Sequence, residues 1–216
     1  MADKRLFVST KDESPKLFEN DILDFFTRVP WYVPLFIFIP VIGMNMIAAI
    51  WYEANSLLQI LGMAVVGLLT WSLFEYFVHR WVFHTHPTNP TLARIHHISH
   101  GIHHDFPQDS LRLVMPPAVS IPLALIIFYS SQWVFWHLGA PELQRAFFAW
   151  FVLGYLVYDM MHYATHHLHY KAKWFQRIKE HHMKHHYRDP DAGFGFTSKT
   201  WDKVFRTDFE EKKPGA

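Results

Sequence analysis

The chain has 216 residues, half of them hydrophobic, and a formal net charge of +1. This length fits a single domain, and the balanced charge gives no reason to expect nucleic acid as a partner. Because the chain contains no cysteine, disulfide bonds, thiolate metal ligands and cysteine nucleophiles are all excluded.

Residues 1–28 are polar with scattered apolar positions, and we expect them to form a cytosolic or interfacial N-terminal segment. No apolar run lies directly behind the N-terminus, so a cleavable signal peptide is not expected. The apolar positions predict a short amphipathic helix on the membrane surface; they are Leu17, Phe18, Ile22, Leu23, Phe25 and Phe26.

Three runs contain no charged residue and no histidine: Val29 to Tyr52, Ala54 to Phe74 and Leu113 to Trp136. A helix needs roughly 20 apolar residues to cross a bilayer, so each run is long enough. A fourth candidate begins after Arg145 and reaches full length only if its helix continues through Asp159 to the histidines that follow. The predicted spans are about 30–52, 56–79, 115–137 and 144–166.

Basic residues are distributed unevenly around these spans, since Arg145 alone lies in the two loops on one side. The positive-inside rule therefore predicts that both termini and the histidines are cytosolic. We predict an all-α fold, an integral membrane four-helix bundle under a cytosolic helical cap. The membrane domain would cover residues 29–216, with the cap formed by residues 80–114 and 167–216. A bacterial inner membrane and the endoplasmic reticulum are both compatible with this topology.

The 17 histidines are concentrated between the second span and residue 186, and ten have metal-ligand spacing. Imidazole is the commonest side-chain metal ligand near neutral pH, and residues three or four apart share one helix face. One transition ion takes roughly four to six ligands, so ten predict two ions and a helical cap that holds a dimetal site. The predicted ligands are His79, His84, His100, His103, His104, His162, His166, His182, His185 and His186.

Some of these assignments have simpler alternatives. His79 and His84 are five apart, which turns them about 140° from each other, so both can be ligands only if the helix bends or ends near His84. His162 and His166 could instead make hydrogen bonds between helices. His96 lies one helical turn before His100 and is a candidate eleventh ligand.

Three charged residues are candidates for supporting roles. Asp159 and Glu75 precede predicted ligands on the same helix faces, so each either orients an imidazole from behind or is a partly buried structural charge. Arg112 is a candidate for binding the polar head of a substrate at the membrane surface. Its alternative is an interfacial arginine whose stem lies in the membrane.

A metal centre beside membrane spans favours a substrate with a lipid tail. Opening an unactivated C–H bond of such a tail requires a redox metal and dioxygen. Zinc has no redox chemistry, so iron is expected in an active oxygenase, although zinc can replace it during preparation. A zinc-dependent membrane hydrolase is the main alternative from another class of protein.

Longer local patterns give the chain a resemblance to a known family. They are His100-Gly-Ile-His103-His104; Asp109-Ser110-x-Arg112-Leu-Val-x-Pro116-Pro117; Gly154-Tyr-x2-Tyr158-Asp159-Met-x-His162-Tyr163; and His182-x2-His185-His186 followed by Gly193-Phe-Gly195-Phe-Thr-Ser and Trp201-Asp202. Over about residues 71–201 the chain resembles the membrane fatty acid hydroxylase superfamily, and most closely the fatty acid (sphingolipid) 2-hydroxylases.

The resemblance implies a dimetal centre held by the ten motif histidines and dioxygen-dependent hydroxylation of a fatty acid or ceramide-type acyl chain at carbon 2. It also implies electrons from a cytochrome b5-type protein. Because 28 residues before the first span are too few for a haem domain, we expect a separate donor of the cytochrome b5 or ferredoxin type. Within the superfamily the alternatives are a sterol oxidase, an alkane or carotenoid hydroxylase, or a desaturase.

Overall fold

The computed structural model describes residues 6–209, and every regular element in that range is helical. The all-α prediction is therefore confirmed for this part of the chain. The α-helices are α1 (Asp21–Phe25), α2 (Val33–Ile47), α3 (Leu57–Val78), α4 (Pro90–His96), α5 (Ile102–Asp105), α6 (Pro117–His137), α7 (Gln144–His167), α8 (Lys173–Tyr187) and α9 (Thr200–Phe205).

Shorter turns continue several of these helices. A 3-10 turn, Pro141–Leu143, leads into α7, and π-helical turns follow α2, α3 and α4 at Ala48–Tyr52, His79–Phe83 and His97–Gly101. A π turn shifts the register of the side chains that follow it and is frequent at functional sites. Two of these turns carry predicted metal ligands.

The chain divides into two compact units. The apolar unit comprises residues 15–72 and 110–161, and the histidine unit comprises residues 73–109 and 162–209 together with residues 6–14. Helices α3 and α7 each begin in the apolar unit and end in the histidine unit.

Within residues 6–209, three helices are long and apolar enough to cross a membrane. They are Val33–Tyr52 with 20 residues, Leu57–Phe83 with 27 and Pro117–His137 with 21. At about 1.5 Å of rise per residue, each matches or exceeds the roughly 30 Å thickness of the hydrocarbon core.

Helix α7 is the buried helix of the apolar unit. Phe38 of α2 and Trp71 of α3 lie 5.0 and 5.6 Å from the ring of Tyr155 on α7. Phe128 of α6 lies 5.0 Å from Phe148, also on α7. Because three other helices cover it, α7 needs less apolar surface than a lipid-facing helix. It runs unbroken for 24 residues, as a fourth span requires, and its membrane crossing stays a prediction.

Glycines allow α3 and α7 to approach closely. A Cβ on Gly154 would lie 2.6 Å from Cγ of Trp71, and a Cβ on Gly67 would lie 2.8 Å from Cβ of Trp150. Real Cβ atoms do not tolerate such distances in a packed interior. Two glycine positions therefore set the separation of these helices.

The N-terminal part of the apolar unit is organised around Asp24. Its carboxylate accepts hydrogen bonds from the backbone N–H of Leu17 at 2.6 Å and pairs with Arg28 at 2.6 Å. The predicted amphipathic helix forms only over the five residues of α1, which begins after the capping side chain of Asn20. Ile22 and its apolar neighbours on α1 are exposed.

Candidate metal centre

The ten predicted histidines converge in two groups within the histidine unit. Each ring of a group offers one nitrogen atom, and the five nitrogens of that group all lie within 4.8 Å of one another. The first cluster is His79, His84, His100, His104 and His185, and the second cluster is His103, His162, His166, His182 and His186. A role for all ten as ligands stays a prediction, and their convergence supports it.

Helix periodicity divides each His-x2-His-His motif between the clusters. Around a helix, a residue four positions after the first is rotated from it by about 40° in one direction. A residue three positions after the first is rotated by about 60° in the opposite direction. His100 and His104 accordingly enter the first cluster, and His103 enters the second. In the motif on α8 the division is reversed: His182 and His186 enter the second cluster, and His185 enters the first.

The five-residue spacing of His79 and His84 is accommodated by the end of α3. The helix changes to the π turn His79–Phe83, and His84 leaves helical geometry with φ −114° and ψ 30°. The two rings then lie 4.8 Å apart. The helix ends where the sequence required it to end.

Within each cluster, Nε2 atoms of different histidines approach one another closely. His84 and His185 approach to 3.0 Å in the first cluster, as do His103 and His162 in the second. Two ligands about 2.1 Å from one ion and at right angles to each other are separated by about 3.0 Å. The spacing of the nitrogens therefore fits a shared metal ion in each cluster.

Burial keeps these imidazoles neutral. Burial and the neighbouring imidazole His79 lower the pKa of His104 to about 3, and burial also lowers the pKa of His185 to about 3. For His100 and His186, burial and then His104 hold the pKa well below its usual 6.5. Neutral imidazoles keep a lone pair for a metal, and neither cluster contains a carboxylate among the described residues.

An orphaned nitrogen supports the same conclusion. Nε2 of His79 is buried and meets no hydrogen-bond partner among residues 6–209. A buried polar atom without a partner is costly, and a metal ion would supply the missing interaction. The donor set, its spacing and its protonation all fit two metal ions.

Residues 192–198, here called the cover loop, hold two ligands from behind. Nδ1–H of His79 donates to the carbonyl of Phe194 at 2.6 Å, and Nδ1–H of His185 donates to the carbonyl of Ala192 at 2.8 Å. Each bond fixes the tautomer that leaves Nε2 free for a metal.

Glu75 binds the cover loop. One carboxylate oxygen accepts hydrogen bonds from the N–H groups of Phe196 and Thr197 at 2.8 and 3.0 Å, and the other accepts from the Thr197 hydroxyl at 2.7 Å. The sequence left open whether Glu75 orients an imidazole or is a structural charge. In the structure its connection to the ligands runs through this loop.

Asp202 binds the other half of the loop and was missed as a site residue. Its side chain is fully buried and accepts hydrogen bonds from the N–H groups of Phe194 and Gly195 at 2.8 and 2.9 Å. His181, which the spacing did not assign to either motif, donates to it at 3.2 Å. The Trp201-Asp202 pair at the end of the last sequence pattern was the signal that could have identified Asp202 as a site residue.

The remaining candidates have other contacts. Asp159 accepts hydrogen bonds from the N–H of Met115 at 3.3 Å and from the hydroxyl of Tyr155 at 2.9 Å, and its influence on an imidazole stays a prediction. His96 donates to the carbonyl of Phe83, and it belongs to neither cluster of the described residues.

Arg112 lies in the apolar unit with only 4% of its side chain exposed. It donates to the carbonyl of Pro15 at 2.7 Å and lies 3.8 Å from the carboxylate of Asp24. This burial departs from the expected surface position of a residue that meets a lipid head. A substrate-binding role for Arg112 stays a prediction that the burial does not favour.

Ten imidazoles in two adjacent clusters, on a helical chain whose apolar helices fit a membrane, are the features of a membrane protein that could hold metal ions. The pattern of the fatty acid hydroxylase family matches residues 64–207, which include all ten clustered histidines. The chain belongs to this family of enzymes.

Individual relatives agree with this assignment. The chain is 38% identical over 197 residues to dihydroceramide fatty acyl 2-hydroxylase FAH2 of Arabidopsis thaliana, which covers 90% of this chain and 80% of the relative. It is 32% identical over 213 residues to fatty acid 2-hydroxylase of Mus musculus, and the match covers 89% of this chain and 56% of the relative. The solved hydroxylase domain of full-length scs7p matches with a TM-score of 0.82 at 31% identity, covering 91% of this chain and 73% of that one.

Proposed function

We propose that this membrane enzyme hydroxylates the acyl chain of a lipid at carbon 2, using dioxygen and a dimetal centre. The observation that carries the proposal is the convergence of five imidazoles in each of two adjacent clusters, eight of the ten being buried. Relatives named as fatty acyl and dihydroceramide 2-hydroxylases support carbon 2 and a fatty acid or ceramide-type substrate.

The ligand set is suited to cations whose charge is not cancelled by the protein. Soluble carboxylate-bridged centres hold each metal with glutamates as well as histidine, whereas these clusters contain imidazoles alone. Iron bound here would supply the redox chemistry that dioxygen requires to attack an unactivated C–H bond, and zinc would not.

The cover loop would exclude water from the centre. The ring of Phe194 lies 5.5 Å from that of His84 in the first cluster, and the ring of Phe196 lies 4.9 Å from that of His182 in the second. Both phenylalanines are buried. An apolar wall beside each cluster protects a reactive centre from side reactions with water.

The reaction also needs electrons, which imidazoles do not store. The chain has no cysteine with which to hold an iron–sulfur cluster. We therefore propose a redox protein of the cytochrome b5 or ferredoxin type as the donor. We also propose four membrane spans over residues 29–216, with the ten ligands and both termini in the cytosol.

The ligand number argues against the hydrolase alternative. A catalytic zinc site normally has three protein ligands and one open position, whereas each cluster here offers five imidazoles. An extensive ligand set of this kind is better suited to holding two redox ions securely.

The proposal is tested by mass spectrometry of hydrolysed lipids from cells that supply iron and electrons. Cells expressing the intact chain should contain new 2-hydroxy acyl chains, and cells expressing His185→Ala at equal level should not. Hydroxylation at another carbon, or on a sterol, would contradict the proposed reaction. Product formation by His185→Ala would contradict its role as a ligand.

A further inference from the structure

The cover loop has an unusual pattern of hydrogen bonds on its outer side. Four consecutive backbone N–H groups, from residue 194 to residue 197, all donate to two buried carboxylates. Asp202 accepts the first two and Glu75 accepts the last two. Four buried backbone donors are thereby satisfied by two side chains, and these hydrogen bonds set the position of the loop.

The inner side of the same loop meets metal ligands. The carbonyls of Ala192 and Phe194 accept from Nδ1–H of His185 and His79, respectively. Both histidines belong to the first cluster. The two carboxylates are therefore connected to two first-cluster imidazoles through a single short stretch of backbone.

The second cluster differs in this respect. Nδ1 of His103, His166 and His186 is buried and has no hydrogen-bond partner among residues 6–209. Partners behind a ligating histidine fix its orientation and raise its basicity. The first cluster has this support at two ligands, whereas three ligands of the second cluster have none within the described residues.

The loop also contains little room for adjustment. Gly193 has φ +71°, and its N–H donates to the carbonyl of Thr207 at 2.8 Å. A Cβ on Gly195 would lie 2.4 Å from the carbonyl oxygen of Ser198 and 2.7 Å from Oδ2 of Asp202. The backbone is thus packed directly against the carboxylate that holds it.

We propose that Glu75 and Asp202 are positioning residues for the first metal site, acting through the cover loop to fix the tautomers of His79 and His185. The two metal sites are then inequivalent, and loss of the loop's anchors weakens the first site selectively. This inference rests on the proposed metal centre. Loss of a partner behind a ligand typically lowers metal affinity about 10- to 100-fold.

The two carboxylates differ in a way that allows a sharp test. In Glu75 a single oxygen accepts both backbone N–H groups, and the other oxygen meets a hydroxyl that can itself accept. Glu75→Gln therefore keeps every partner. In Asp202 each oxygen accepts a different backbone N–H, so Asp202→Asn must leave one of them facing an NH₂ group.

The experiment measures release of zinc from the zinc-loaded, purified chain to a colorimetric chelator. The wild-type chain should release two ions in separate phases, assigned with His84→Ala for the first cluster and His182→Ala for the second. We expect Asp202→Asn to lower the affinity of the first site by about 10-fold or more and to leave the second unchanged. Glu75→Gln should stay within about threefold of the wild type at both sites, whereas Glu75→Leu should weaken the first site.

Glu180→Gln provides the control for loss of a carboxylate, because this side chain is exposed on α8 and pairs with Lys184. Equal weakening of both sites in Asp202→Asn, or an unchanged first site in Asp202→Asn, would overturn the inference while leaving the metal centre intact. Failure of the wild-type chain to bind metal would overturn the proposed function and this inference together. If Glu75→Leu does not fold, the two isosteric variants still decide the question.

Discussion

His103 and His104 are neighbours in the chain, yet they contribute to different clusters, with ring centroids 5.9 Å apart and planes inclined by 69°. Consecutive residues on a helix point about 100° apart. A single helical turn therefore reaches both proposed metal ions. Such a turn holds the two clusters at a fixed separation, as a dinuclear centre requires.

This arrangement predicts separable losses of metal. His104→Ala removes a ligand from the first cluster alone, and His103→Ala removes one from the second cluster alone. Each variant should retain one of the two ions firmly, whereas the double variant should retain neither, as measured by elemental analysis after dialysis against a weak chelator. His86→Ala, at an exposed histidine that pairs with Asp191, serves as the control. Retention of both ions in either single variant would refute the division into clusters.

A second prediction concerns the contact between α3 and α7. Gly67→Ala places a methyl group 2.8 Å from Cβ of Trp150, and overpacking of this kind costs about 1–3 kcal/mol. Gly62→Ala lies on the same helix with no neighbour within 4 Å, so it should not destabilise the protein. Thermal unfolding in detergent, followed by circular dichroism, should show a lower Tm for Gly67→Ala only. Equal Tm values would mean that the helices do not approach this closely.

The charge network of Asp24 predicts a specific pH dependence. Burial raises the pKa of Asp24, but hydrogen bonds from Leu17 and Phe18 and the charges of Arg28 and Arg112 together lower it below its ordinary 3.8. A lowered pKa in the folded state stabilises the protein above the unfolded value, and this stabilisation is lost as the pH falls through the folded value.

Asp24→Asn should therefore lower the Tm at neutral pH, and the difference from the wild type should shrink as the pH falls below about 4. Asp21→Asn is the matched control, because Asp21 lies on the same helix but is exposed and pairs with Lys16 in a surface ion pair. Such pairs contribute little. A difference that stays constant down to low pH would argue against ionisation of Asp24 as the cause.

The proposed topology makes a further prediction. With four spans and basic residues concentrated on one side, a protease-sensitive tag at either terminus should be cleaved from the cytosolic side of sealed vesicles. A tag inserted in the turn at Gly139, between α6 and α7, should be protected. Opposite accessibility of the two termini would mean an odd number of crossings.

The identities of the ten clustered histidines were predictable because helix periodicity acts over three or four residues. The same local rule required a helix end near His84, and the π turn His79–Phe83 supplies it. The helical extension of α7 to His167 was also required by the length of a span.

Long-range contacts were not predictable in this way. Glu75 meets the cover loop from 121 residues earlier in the chain. Arg112 is buried beside Asp24, although its spacing in the sequence gives no indication of that pair. Periodicity identifies residues that share a face, whereas these contacts depend on how separate elements pack.

The most direct test of the account supplies isotopically labelled dioxygen to cells that express the intact chain. Mass spectrometry then locates the label in the hydrolysed acyl chains. The account predicts one labelled oxygen atom in the hydroxyl at carbon 2, absent from cells that express His185→Ala. A hydroxyl oxygen derived from water would contradict a dioxygen-dependent dimetal hydroxylase, as would a labelled product formed equally without the histidine.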